Sequence, residues 1–302
     1  MRYWVMGIFL STSLAVAQWN SQVQNIQVAQ FPSYTEGVVV DHTGNLYVSY
    51  SDRISRITPG GKVSFWASTP SPNGHKILAD GTHVVCDRKG PVYLLSSDGK
   101  IIRELASPEN GANDICLDPR NGGFYFTSPY ASRTEPKGKI YHVDLQGSTR
   151  VISENLGYPN GIVLSSDGSR LLVGESLYNR VLEFPVLSPG KVGPSRVFAE
   201  LPEKGKGQLD NRPDGMALDE VGNLYVAHYG MGRVQVLDPQ GNLLASLVTG
   251  AVFTSNVAFG GPTRNQLYVT GSLGPIAQQS AGVLMRLDLP WVTGLEILPV
   301  VP

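Results

Sequence analysis

Apolar triplets recur along the chain at 38–40 (VVV), 115–117 (ICL), 162–164 (IVL) and 216–218 (MAL), each preceded by a polar residue and followed by an Asp- or Gly-containing turn. After each turn comes a second β-rich run: GNLYVSY, THVVCD, GGFYFTS, SRLLVGE, GNLYVAH and NQLYVTG. A strand that turns at Asp/Gly and returns as a strand is the simplest reading of each unit. Six polar residues, Glu36, His75, Asn113, Asn160, Asp214 and Asn256, hold one place in this pattern, and five residues on stand Asp41, Asp80, Asp118, Ser165, Asp219 and Gly261.

The later half of the units carries further strand candidates, as in RISRITP then KVSFWAS and RVQVLDP then LLASLV. Repeats of about 40 to 50 residues with several short strands each are the signature of propeller blades. The expected fold is all-β: a six-bladed β-propeller of four-stranded antiparallel blades around a central channel, opening near 38, 76, 115, 162, 216 and 257. The segment QVQNIQVAQF (22–31) is expected to complete the last blade and close the ring, which removes exposed sheet edges. The innermost strand of each blade lines the channel, so the six polar residues are expected to face one another at its mouth. Loops after the second strands return to the same face with Tyr50, Asp87, Ser128, Tyr130, Glu175, Tyr178, His228, Tyr229 and Ser272.

Composition narrows the picture. A chain of 302 residues, 41% hydrophobic, suits one propeller without a second domain, and 34 Gly with 21 Pro suit a turn-rich β fold. The formal charge of −1 offers no basic stripe for nucleic acid. MRYWVMGIFLSTSLAVAQ at the N-terminus has Arg2, an apolar run and Ala15-Val16-Ala17, the form of a signal peptide cleaved after Ala17. Residues 18–302 are then the propeller, secreted or periplasmic, a monomer or weak dimer with no membrane span in the mature chain. Cys86 and Cys116 fit either small core residues or a disulfide, and no Cys/His metal spacing is present.

Glu36, Asn113, Asn160 and Asp214 together supply two carboxylates and two amide oxygens, a hard donor set that suits Ca²⁺. Each alone is an ordinary turn residue; their shared register is what singles them out. Glu36-Gly37, Asn113-Asp114, Pro159-Asn160-Gly161 and Pro213-Asp214-Gly215 resemble the metal-site motifs of the senescence-marker-protein/gluconolactonase/luciferin-regenerating-enzyme family, over roughly residues 30 to 290. The resemblance implies one divalent ion, usually calcium with Zn²⁺, Mn²⁺ or Mg²⁺ as alternatives, on those four residues, and hydrolysis of a lactone or similar small ester. The Glu-Gly-Pro of many members is Glu36-Gly37-Val38 here. Asp214 is the first candidate for base or nucleophile and His75 the second, since imidazole titrates near neutral pH. Asn113, Tyr130, Glu175, His228 and Asn256 are the substrate-binding candidates. The insertion RTEPKGK (133–139) and the stretch 192–212 are expected to cover the pocket. The alternatives are an organophosphorus ester hydrolase on the same site and a propeller that binds a ligand or protein without chemistry.

Overall fold

The computed structural model describes residues 23–118, 120, 123–130 and 134–296; the expected signal peptide and Arg133 lie outside them. Six small antiparallel sheets follow one another, each built outward from an inner strand. The inner strands are Thr35–Val40, Pro72–Ile77, Ile115–Leu117, Pro159–Leu164, Arg212–Leu218 and Phe253–Gly260, which define blades 1 to 6. Gln24–Phe31 pairs with Gly282–Asp288 as the outer strand of blade 6, so the first described strand closes the ring. Blade 4 adds a short fifth strand, Lys191–Val192, off Arg180–Ser188. No helix among the described residues is long and apolar enough to cross a membrane.

Strand alternation sends successive side chains to opposite faces of a blade, and each face meets a neighbour. The core is accordingly a ring of wedges. Val39, Tyr47 and Ile54 of blade 1 pack on Val85 and Leu95 of blade 2. Val84 and Cys86 of blade 2 meet Ile115, Phe124 and Phe126 of blade 3, and Cys116 and Ile140 of blade 3 meet Ile162 and Val173 of blade 4. The remaining wedges join blades 4 and 5, 5 and 6, and 6 and 1. Cys86 and Cys116 are buried free thiols in these wedges, and burial pushes both thiols well up in pKa, which keeps them protonated.

One irregularity positions the chemistry. In five blades the ladder between first and second strands breaks at one place: between Thr35 and Val38, Pro72 and His75, Pro159 and Ile162, Pro213 and Met216, and Thr254 and Val257. Two residues bulge from the inner strand against one on its partner, which bends the strand and re-aims its side chains. In blade 3 the equivalent pair, Asn113-Asp114, wraps Thr127 instead.

Candidate functional site

The bulges define true equivalence around the ring. Their first residues are Glu36, Asn73, Asn113, Asn160, Asp214 and Ser255; their second residues are Gly37, Gly74, Asp114, Gly161, Gly215 and Asn256. Four members of the expected ring therefore share one place, but His75 and Asn256 do not. In blade 2 the turn that starts at Asp41 in blade 1 starts at Leu78, so Asp80 sits two places late and counting back from it lands on His75 rather than Asn73. In blade 6 the inner strand has one extra paired residue, Gly260 against Gln266, so the count stops at Asn256, one residue past Ser255.

The glycines at the second place are spaces for a neighbour. A Cβ on Gly37 would strike the Asn73 carbonyl, one on Gly74 the Asp114 carboxylate, and one on Gly215 the Asn256 side chain. Asp114 and Asn256, the two non-glycine members, fill the spaces left at Gly74 and Gly215. Hydroxyls on the second strands then staple blade to blade: Ser49 Oγ to the Asn73 carbonyl at 2.9 Å, Thr127 Oγ1 to the Asn160 carbonyl at 2.7 Å, and Thr270 Oγ1 to the Glu36 carbonyl.

Glu36, Asn113, Asn160 and Asp214 line a single open cavity. Asn113 Nδ2 donates to Asn160 Oδ1 at 2.9 Å, so the two amides adjoin. Tyr34 lines the cavity with Glu36; its pKa is raised well above the ordinary value, by burial first and then by the charges of Glu36 and Asp214. Both carboxylates also act on the Arg88 guanidinium, so the two acids converge on the same phenol and the same cation. Two carboxylates and two amides make an oxygen-only donor set of charge −2, which fits a hard divalent cation. Among the described residues no group of three or more His, Cys, Asp or Glu could hold a metal; this candidate cage depends on its neutral amides.

The remaining lining residues follow a rule that the motifs alone do not express. Tyr34, Tyr158 and Arg212 each stand two residues before a ring member, on the same side of an extended chain. Arg88, Ser176 and Tyr229 each stand one residue after Asp87, Glu175 and His228, which pair with the prolines Pro72, Pro159 and Pro213 just before the bulges. Gln278 reaches in from the short 3₁₀ turn Ala277–Gln279. Period-two counting from Glu36, Asn160 and Asp214 is the signal that finds the first set.

The other expected site residues lie outside this lining. His75 is buried, its Nε2 3.2 Å from the Tyr47 carbonyl and its ring packed toward His83; burial first, then His83 and Lys76, hold it well below its usual pKa, hence neutral. Glu175 accepts from the Gly157 amide at 2.8 Å and from Arg180 at 2.7 Å. Asn256 Oδ1 accepts from the Val257 amide at 2.8 Å. Tyr130 lies under the Lys137 ammonium, 5.1 Å from the ring centre, and Lys137 pairs with Glu135.

His228 is fully buried and anchors a loop. Asn179 Nδ2 donates to the Leu201 and Pro202 carbonyls at 3.1 and 3.3 Å, so its Oδ1 accepts from His228 Nε2 at 2.9 Å. His228 Nδ1 then accepts from Gln235 Nε2 at 3.0 Å, which fixes the neutral Nε2–H tautomer. Burial lowers its pKa to about 4, against a smaller opposing effect from the Asn211 backbone. Together with Gln208 on the Met231 carbonyl at 3.1 Å and Leu209 on Gly230 at 2.9 Å, this network ties down residues 201–212, the stretch that delivers Arg212 and then Asp214 to the cavity.

Comparison with known proteins agrees with the geometry. The family model described as SMP-30/Gluconolactonase/LRE-like region matches residues 34–272. The lactonase drp35 of Staphylococcus saprophyticus is 31% identical over 229 residues, 70% of this chain and 69% of that protein. The 6-deoxy-6-sulfogluconolactonase of Pseudomonas putida is 28% identical over 226 residues, 73% and 76% of the two chains. The chain spans about two thirds of the length of the drp35 lactonases it matches. A luciferin-regenerating enzyme superposes with a TM-score of 0.77 at 24% identity over 93% of this chain and 99% of the other. The calcium-binding protein regucalcin of Agrobacterium tumefaciens superposes at 0.76, with 20% identity over 91% and 95%. These two likenesses establish the fold.

Proposed function

Since the chain belongs to the SMP-30/gluconolactonase/LRE-like family, we propose that it hydrolyses a sugar lactone or similar small ester with one divalent cation, Ca²⁺ first, on Glu36, Asn113, Asn160 and Asp214. It is a hydrolase acting on lactone ester bonds, a class carried by its lactonase relatives. The observation that carries the metal reading is the convergence of those four side chains on one cavity. The calcium-binding protein regucalcin, which shares the fold, points the same way.

An ion bound there would polarise the ester carbonyl and offset the oxyanion charge. The chain's own groups do the rest. Tyr34 lines the cavity beside Glu36, while Asn113 and Asn160 orient each other. Asp214 faces the cavity and takes the proton of the attacking water. We assign the base to Asp214 rather than His75, because Asp214 lines the cavity and His75 does not. Ser176, Tyr158 and Tyr229 offer hydroxyls to the substrate's own hydroxyl groups.

The test is a panel of aldonolactones and one phosphotriester, assayed with protein that has been chelated and then reloaded with calcium. Lactone turnover should fall at least about a hundredfold on chelation and return with calcium. Equal rates for the chelated and loaded forms would sink the metal mechanism, and turnover of the phosphotriester alone would move the reaction to phosphorus. Export is proposed as well: mass spectrometry of the protein from the host's culture should find Gln18 as its first residue, and an intact Met1 would refute cleavage after Ala17.

A further inference from the structure

The cavity contains more positive charge than a neutral sugar lactone requires. Its lining has two acids, Glu36 and Asp214, and two bases, Arg88 and Arg212. Once a divalent cation is held by the acids, the lining carries a net charge of about +2. Arg212 is partly offset by its ion pair with Asp210 at 3.0 Å, and Asp210 is not part of the lining. The loaded cavity is therefore left about one positive charge in excess, and that charge sits at Arg88.

Arg88 is held in place from several directions. Its amide donates to the Ser71 carbonyl at 2.9 Å, and Asp87 caps both sides of the loop, accepting from the Ser71 amide at 2.7 Å and the Lys89 amide at 2.8 Å. Gly111 passes so close to the Arg88 carbonyl, at a φ of +70°, that a Cβ there would strike it. At the other end Nη2 donates to the Tyr158 hydroxyl at 3.1 Å. A half-buried guanidinium fixed at both ends has lost most of its side-chain entropy before a ligand arrives, and its planar fork matches the oxygens of a carboxylate, sulfonate or phosphate. Hydroxyl groups would be served by the tyrosines, Ser176 and Gln278 without it.

We infer that the cavity takes lactones bearing an oxyanion substituent away from the ester, and that Arg88 is the residue that reads that substituent. The inference rests on the lactonase reading above and narrows its substrate class. A substituent placed there neutralises the excess charge of the loaded cavity, whereas an unsubstituted lactone leaves the guanidinium desolvated without an anionic partner. The Arg88–Tyr158 contact supplies the geometry: both residues line the cavity, and the hydrogen bond holds the guanidinium at its wall.

The experiment compares glucono-1,5-lactone with its 6-sulfonate analogue, chosen because a sulfonate is a weak calcium ligand. The proteins are the calcium-loaded wild type, Arg88→Gln and Arg88→Lys. The wild type should favour the sulfonate in kcat/KM by at least tenfold, about 1.4 kcal/mol. Arg88→Gln should bring the ratio near one, and Arg88→Lys should restore part of it. Calorimetry with two unreactive probes, sorbitol and sorbitol 6-sulfate, reads the same preference without turnover in loaded protein, and the preference should weaken in chelated protein, where Glu36 and Asp214 are no longer offset by the cation. A wild type with no preference in either assay, or a preference that survives Arg88→Gln, overturns the inference while leaving neutral lactone hydrolysis intact. If neither lactone is turned over but sorbitol 6-sulfate still binds through Arg88, the lactonase reading fails and the anion site stands.

Discussion

Two layers of side chains lie one residue apart around the cavity, and their chemistry looks alike while their work differs. Glu36, Arg88, Ser176 and Tyr229 line the cavity. Their chain neighbours Thr35, Asp87, Glu175 and His228 are buried behind it. Thr35 bridges to the Gly271 and Val283 carbonyls at 2.8 Å each, Asp87 caps a loop, Glu175 holds a backbone amide and Arg180, and His228 ties Asn179 to Gln235. An Asp, a Glu and a His next to a cavity are the residue types one would pick for catalysis. Here their hydrogen bonds are spent on holding the front layer in place, because pleating turns alternate side chains away from each other.

The largest effect that tests this division belongs to the front layer. Asp214→Asn keeps the shape of the side chain and removes the proposed base, so kcat on a lactone should fall about 10³-fold while the thermal midpoint moves by no more than about 2 °C. A drop in midpoint that matches the lost activity would place Asp214 in the supporting layer instead. His228→Gln should show the reverse, a change in stability that depends on pH. Above pH 6.5 the imidazole is neutral in both folded and unfolded chains. Between 6.5 and the buried value of about 4 only the unfolded chain takes the proton, so stability falls as pH falls through that window and the loss is complete below it. The gap is worth about 3 kcal/mol. Urea denaturation from pH 8 to pH 4 should show a shallower slope for His228→Gln than for the wild type, and identical slopes would remove His228 from the anchor.

Glu36→Gln lies between these. It leaves the cavity filled and takes one charge from the donor set, and affinity for calcium should weaken about 10- to 100-fold by titration calorimetry. The Tyr34 hydroxyl, whose pKa the Glu36 charge helps to raise, should at the same time titrate closer to its ordinary range in an ultraviolet pH scan. No change in either reading would mean that Glu36 is not part of the cage.

The propeller is legible in the chain because the apolar triplets and the LYV-type second strands state it six times. Even the closing strand at Gln24–Phe31 follows from its alternation. The four cage candidates are legible too, since their blades keep the same distance from bulge to turn. His75 and Asn256 mislead for local reasons: Asp80 sits two places into its turn, and blade 6 has one more ladder pair. Counting from a turn fails wherever the turn itself slides. The wall is harder still. Glu175 and His228 differ from Ser176 and Tyr229 by a single step, and composition does not say which parity faces inward. Arg88 comes from a loop whose path depends on Gly111 of the next blade, a contact no local pattern contains.

The smallest effect separates the two cysteines. Cys86 stands where the ladder skips a residue in blade 2, the place held by Ser49, Thr127 and Thr270 in blades 1, 3 and 6. Those hydroxyls donate to a carbonyl of the next blade. The corresponding carbonyl for Cys86 is that of Asn113, which already accepts from Gly74 at 2.9 Å and has a second lone pair to offer. Cys86→Ser should therefore regain through a new interblade hydrogen bond most of what it loses by burying a hydroxyl. Cys116 packs among Ile162, Leu164 and Val173, with no such place in the staple pattern, so Cys116→Ser buries a hydroxyl among apolar side chains. The second change should cost about 1 kcal/mol more than the first, read as a lower urea midpoint at unchanged slope. Equal losses would show that the staple position in blade 2 is ordinary core, and that the hydroxyls of blades 1, 3 and 6 are not a device that blade 2 can adopt.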